Sequence, residues 1–158
     1  LYDNATPIGY LTGFYAFSLF GLTTQQSSTL EIGSNFPKRN GKRGMYSIRF
    51  VLQKNPINRD NIEMLRILDC LKWIKKIPDT TTDRSYTLLK AKVNEYSKDE
   101  LTQLVNLALK YSPLTRALLG SMLTNDSLAT TLFQTLSPLT RFRVGLSPTL
   151  VSSQWNIQ

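Results

Sequence analysis

The hydrophobic pattern of this 158-residue chain changes period at about residue 55, and the change limits what it can fold into. Before that point the signals are those of short strands. Leu30 and Ile32 alternate with Thr29 and Glu31, and Tyr46, Ile48, Phe50 and Leu52 alternate with Ser47, Arg49, Val51 and Gln53. Successive strand side chains point to opposite faces, so this alternation predicts half-buried strands. Asn40-Gly41 lies between the two runs and favours the positive φ angles of a tight turn. A ragged hairpin follows, with basic residues at its tip. Ahead of it, Tyr10 to Phe20 predicts a short buried helix ended by Gly21.

Beyond residue 55 the period is helical. Asn58 or Asp60 is placed to cap a helix running through Ile77, where Pro78 stops it. Ile62, Met64, Ile67, Cys70, Leu71, Trp73, Ile74 and Ile77 cover one broad face, which predicts a helix sunk deep in the core. Asn61, Asp69, Lys72, Lys75 and Lys76 gather opposite, and Asp69 there predicts a surface ion pair with Lys72 or Lys76. Ser97 and Glu100 have capping-box spacing. Pro113 suits the first turn of the next helix, and Asn125 or Asp126 caps another. Phe142–Leu146 reads as a strand, and Trp155-Asn156-Ile157 as a tail pinned by its aromatic ring. The pentapeptide Ser-Pro-Leu-Thr-Arg occurs at 112–116 and 137–141; two similar helix entries would produce it, but chance with shared capping chemistry is the simpler account. The expected fold class is α+β: short antiparallel strands with a basic hairpin, packed on a mostly helical C-terminal part. Residues 1–158 form one domain, mixed helix and strand over 1–55 and mainly helical over 56–158.

Charge is concentrated. Lys38, Arg39, Lys42, Arg43, Arg49 and Lys54 fall within one stretch that contains no acidic residue. Outside it the chain has 13 basic and 11 acidic side chains, so most of the net charge of +8 comes from this place. A block of one sign costs self-repulsion, and its commonest use is to meet a polyanion or an acidic partner. One cysteine and no histidine exclude a Ser-His-Asp triad, a Cys-His dyad, a Cys/His zinc site and an internal disulfide. Phosphate-binding glycine loops are absent as well. No catalytic residue, metal ligand or cofactor is assigned, and the chain is not read as an enzyme. The apolar run Tyr10–Leu22 is shorter than the roughly 20 residues needed to span a bilayer. The expected location is the cytoplasm, with no membrane partner.

Specific strings add a resemblance. Gly9-Tyr10-Leu11-Thr12-Gly13, then Leu19-Phe20-Gly21-Leu22-Thr23-Thr24-Gln25, are similar to the opening signature of AbiEi-like type IV antitoxins. Leu65 through Thr81, with Lys75, Lys76 and Pro78, resembles that family's central segment. Tyr111-Ser112-Pro113 with Arg116–Gly120, and Ser137–Leu146 with Trp155-Asn156-Ile157, resemble its later strings in the same order. Cys70 and Trp73 depart from the family's usual small and acidic residues.

The resemblance implies the C-terminal domain of an antitoxin, without the winged-helix DNA-binding domain that usually precedes it. It implies a transcriptional regulator of a bacterial toxin–antitoxin system. Such a protein counters a nucleotidyltransferase toxin, with or without direct binding, and assists repression of promoter DNA. The positions carrying the resemblance are Gly21, Leu22, Thr23, Thr24, Gln25, Lys75, Lys76 and Pro78. The residues expected to meet nucleic acid or a partner are Lys38, Arg39, Lys42, Arg43, Arg49 and Lys54. The alternative is a protein- or RNA-interaction module with a basic hairpin and no catalytic activity.

Overall fold

A computed structural model describes residues 1–158 as an α+β fold. A two-stranded ribbon, β1 (Tyr2–Asp3) and β2 (Thr6–Pro7), opens the chain. A four-stranded sheet follows, built from β3 (Gly9–Thr12), β4 (Thr29–Ser34), β5 (Gly41–Arg43) and β6 (Tyr46–Leu52) in the order β3-β4-β6-β5. The short helix α1 (Phe14–Leu19) lies between β3 and β4. Five further helices complete the fold: α2 (Ile62–Lys72), α3 (Thr82–Val93), α4 (Lys98–Ala108), α5 (Pro113–Met122) and α6 (Asp126–Phe133).

The α+β class is as expected and a basic antiparallel hairpin forms from β5 and β6, but the sheet is mixed, which corrects the expected pairing of the Leu30 run with the Tyr46–Leu52 run as that hairpin. β4 pairs with β6 in parallel, and β5 takes the far edge of β6. Asn40-Gly41 is not the turn. Arg43 stands opposite Tyr46, so Gly44 and Met45 close the ribbon, and Gly44 supplies the positive φ of 61°. Asn40 instead accepts a hydrogen bond at its side-chain oxygen from the Phe50 amide (3.2 Å).

The expected helix over Tyr10–Phe20 is also corrected. Gly9–Thr12 is strand β3, antiparallel to β4, and the helix begins only after Gly13. Gly13 has φ 62°, and a Cβ there would overlap the Glu31 carboxylate. The chain therefore switches from strand to helix at the one residue that tolerates both demands.

α2 is the axis of the core. Met64, Leu65, Ile67, Leu68, Asp69, Cys70 and Leu71 are all buried on it, because α1, β3, α4 and α5 surround it. Neither Asn58 nor Asp60 is its cap: Asn61 holds the N-cap position without a side-chain capping bond, Asn58 folds an Asx turn just before, and the helix ends at Lys72. The predicted extension to Ile77 is a separate 3₁₀ turn, Ile74–Lys76. Cys70 is fully buried, as its place on the apolar arc requires. The Ser97–Glu100 capping box forms with both reciprocal bonds, and Asn125 caps α6. Ser112-Pro113 opens α5, whereas the second copy of the pentapeptide is an exposed turn at Ser137–Thr140 and starts no helix. The C-terminal tail runs beside Phe142, with Phe142 bridged to Ile157 and Trp155 buried edge-on against Phe133. No helix is long and apolar enough to cross a membrane.

Candidate functional site

The basic stretch divides when folded. Lys38 and Arg39 lie in the exposed connection that leads into β5, and Lys42 and Arg43 are on β5 itself. All four are exposed, and none is within ion-pair distance of a carboxylate. Lys42 is opposite Ser47 and Arg43 opposite Tyr46, so the two point to different faces. β5 thus offers a free backbone edge with positive charge on both sides.

Arg49 and Lys54 do not join this group as equals. Arg49 stands opposite Glu31 in the register, and their side chains approach to 3.8 Å. An exposed pair of this kind is worth about 0–1 kcal/mol but partly neutralises the arginine. Lys54 lies past the other end of β6. At about 3.3 Å per residue, the seven residues from Ser47 to Lys54 put it roughly 23 Å away.

The register also shows something the alternation concealed. Tyr10, Thr12, Glu31, Arg49 and Gln53 share the sheet face that looks toward α2, whereas Leu11, Leu30, Ile32, Ile48, Phe50 and Leu52 share the opposite face. That outward apolar face is only partly covered: Ile32 is buried, Leu30, Ile48 and Phe50 are half-buried, and Leu52 is exposed. Phe36 and Met45, which flank the basic residues in sequence, are over four-fifths exposed. Period two identified the apolar residues but not the direction in which they point.

Asp69 corrects the reading from the helical wheel. It is no surface ion pair but the buried centre of a polar network. Tyr10 and Thr12 donate their hydroxyls to one carboxylate oxygen, and Tyr111 donates to the other, each at 2.7 Å. Gln53 donates to both tyrosine oxygens (2.9 and 2.8 Å) and accepts from the Asn55 amide (2.9 Å). Burial pushes the Asp69 carboxyl up, against the opposing pull of its three hydroxyl donors and nearby Lys72. Burial and the adjacent Asp69 also push both tyrosine hydroxyls up, which keeps them protonated as donors. Gly33 makes room for this arrangement, since a Cβ there would overlap the Tyr10 ring. The spacing Tyr10-x-Thr12 on a strand was a readable signal for two donors on one face; their shared acceptor was not.

Two of the strings behind the family resemblance meet in space. Gln25 donates its side-chain amide to Asp79, and Arg84 reaches the carbonyls of Gly21 and Leu22 (3.3 and 3.4 Å). Gly21 has φ 68°, Leu22 and Thr23 are buried, and Thr24 is exposed. Lys75 and Lys76 are exposed on the 3₁₀ turn, and Pro78 is half-buried after it. This clamp fixes a loop against the entry of α3 and presents no obvious reactive group.

What these surfaces provide is charge, apolar area and a free strand edge, which are the means of binding. Comparison with family models, with curated proteins and with solved structures finds no match to this chain.

Proposed function

We propose that this chain is a non-catalytic regulatory domain of the antitoxin kind it resembles, acting in the cytoplasm and binding nucleic acid along its basic sheet edge. The observation that carries the reading is the group Lys38, Arg39, Lys42 and Arg43, exposed and free of carboxylate partners, the first two just before β5 and the last two on its opposite faces. Contacts of this kind hold phosphates and fix position without reading sequence. Promoter DNA is the proposed nucleic-acid partner, and a nucleotidyltransferase toxin is the protein whose effect is countered.

Four phosphates neutralised on duplex DNA give a log affinity against log salt slope of about −3.6. The quadruple variant Lys38/Arg39/Lys42/Arg43→Ala lowers the magnitude of that slope toward zero. Growth rescue of cells making the toxin, by the intact chain but not by this variant, assigns antitoxicity to the same edge. A flat salt dependence in the unaltered protein rejects the nucleic-acid reading.

A second reading has its own support. The outward apolar face, with Leu30, Ile48, Phe50 and Leu52 beside a free edge, suits a protein partner that adds a strand and brings acidic side chains to the basic rim. Charge there chiefly speeds association. Pull-down of the toxin at a strength independent of DNA favours it.

A further inference from the structure

At the far end of β6 from the basic edge, a cleft of about 280 Å³ opens between the sheet and the helices. Three lysines from different parts of the chain converge on it: Lys54 just after β6, Lys72 at the end of α2, and Lys110 just after α4. Gln53, Asp69 and Tyr111 form its floor, and Ser112, the cap of α5, stands at its rim.

None of the three lysines forms an ion pair, although Lys72 lies near enough to Asp69 to draw its carboxyl down. Every ion pair in the molecule uses Arg49 or Lys92 as its cation. Asp69 is the one acid lining the cleft, and its two oxygens are already taken up by three hydroxyl donors. Lys110 donates to the Lys54 carbonyl (3.4 Å), which brings those two residues together. The Lys72 ammonium lies 5.3 Å from the centre of the Trp73 ring. Three like charges drawn to one concavity repel one another, and a multivalent anion relieves that repulsion. Lysine is a compact point donor well suited to phosphate oxygens.

We propose that this cleft is a binding site for a phosphate group, separate from the basic edge at β5. The Ser112 hydroxyl at the rim and the three ammonium groups supply the donors. The floor contributes rigidity, because its hydroxyls and amide are already bonded to one another. The phosphate is carried either by a small phosphorylated molecule or by a nucleic-acid strand, and both present the same oxygens to the lysines.

The test follows backbone amide resonances of the whole chain during titration with inorganic phosphate, then with pyrophosphate. Saturable shifts are expected at Lys54, Lys110, Tyr111 and Ser112. Lys54→Gln and Lys110→Gln, both at exposed positions, each weaken binding about tenfold. Lys98→Gln, at an exposed lysine outside the cleft, leaves it unchanged. Displacement of pyrophosphate by a short single-stranded oligonucleotide identifies a nucleic-acid phosphate as the ligand, and failure of displacement identifies a small molecule. Absence of saturable shifts at the cleft, or shifts that persist unaltered in the Lys54→Gln/Lys110→Gln double variant, overturns the proposal.

Discussion

Asp69 shows how one side chain can be misplaced by a pattern and then explain a structure. A helical wheel sets it with lysines, but α2 is enclosed on nearly every side, and the strand facing Asp69 brings Tyr10 and Thr12 to meet it. The carboxyl is held above its ordinary value, chiefly by burial. A group raised in the folded state stabilises most below its unfolded value, near 4, and that contribution is lost as pH rises from there through the folded value. Asp83 has the opposite sign. The Ser147 hydroxyl and amide lower its value, so its contribution is present above the unfolded value and lost as pH falls through the folded one. Asp69→Asn isolates the first effect, because Asp83 is common to both proteins. Urea midpoints compared between about pH 4 and pH 7 should show the unaltered protein losing stability relative to Asp69→Asn as pH rises. Parallel pH profiles for the two would mean that Asp69 titrates alike in folded and unfolded chains.

Among the elements, those governed by local chemistry were legible and those governed by pairing were not. The cap at Ser97, the proline start of α5, the cap at Asn125 and the apolar arc of α2 follow from spacing within one segment. The parallel match of β4 with β6 is a choice between distant segments, and alternation is silent on it. The same gap explains why Lys54 was grouped with the hairpin: proximity in sequence along an extended strand is separation in space. The docking of the tail on α5 is another distant pairing, and it is sharply tuned. Gly120 lets the Trp155 ring lie against the helix backbone, and a Cβ there would overlap the ring. Gly120→Ala should cost about 1–3 kcal/mol through that overlap, despite alanine's better helix propensity. A urea denaturation curve checks it, and an unchanged or raised midpoint would show that the tail relocates freely.

Viewed as a whole molecule, the chain has one continuous core that runs from Tyr10 and Phe17 through α2 to Trp155 and Ile157, joining both sequence regions. The basic edge stands apart from it, with every residue of β5 exposed. Opening energy is therefore expected to be uneven. Hydrogen exchange should be slowest for amides of α2 and α5 and fastest across residues 35–45. Protection in that segment equal to the core's would contradict so detached an edge. The strand order also bears on assembly. The ribbon of β5 and β6 closes through two residues, a local event on a timescale of about 1–10 µs. β4 must reach the other side of β6 across a longer connection, at a greater entropic cost. In the finished sheet the three-residue basic strand covers one flank of β6 and sets repelling positive charge along the outer edge, which opposes edge-to-edge pairing with a second copy of the chain.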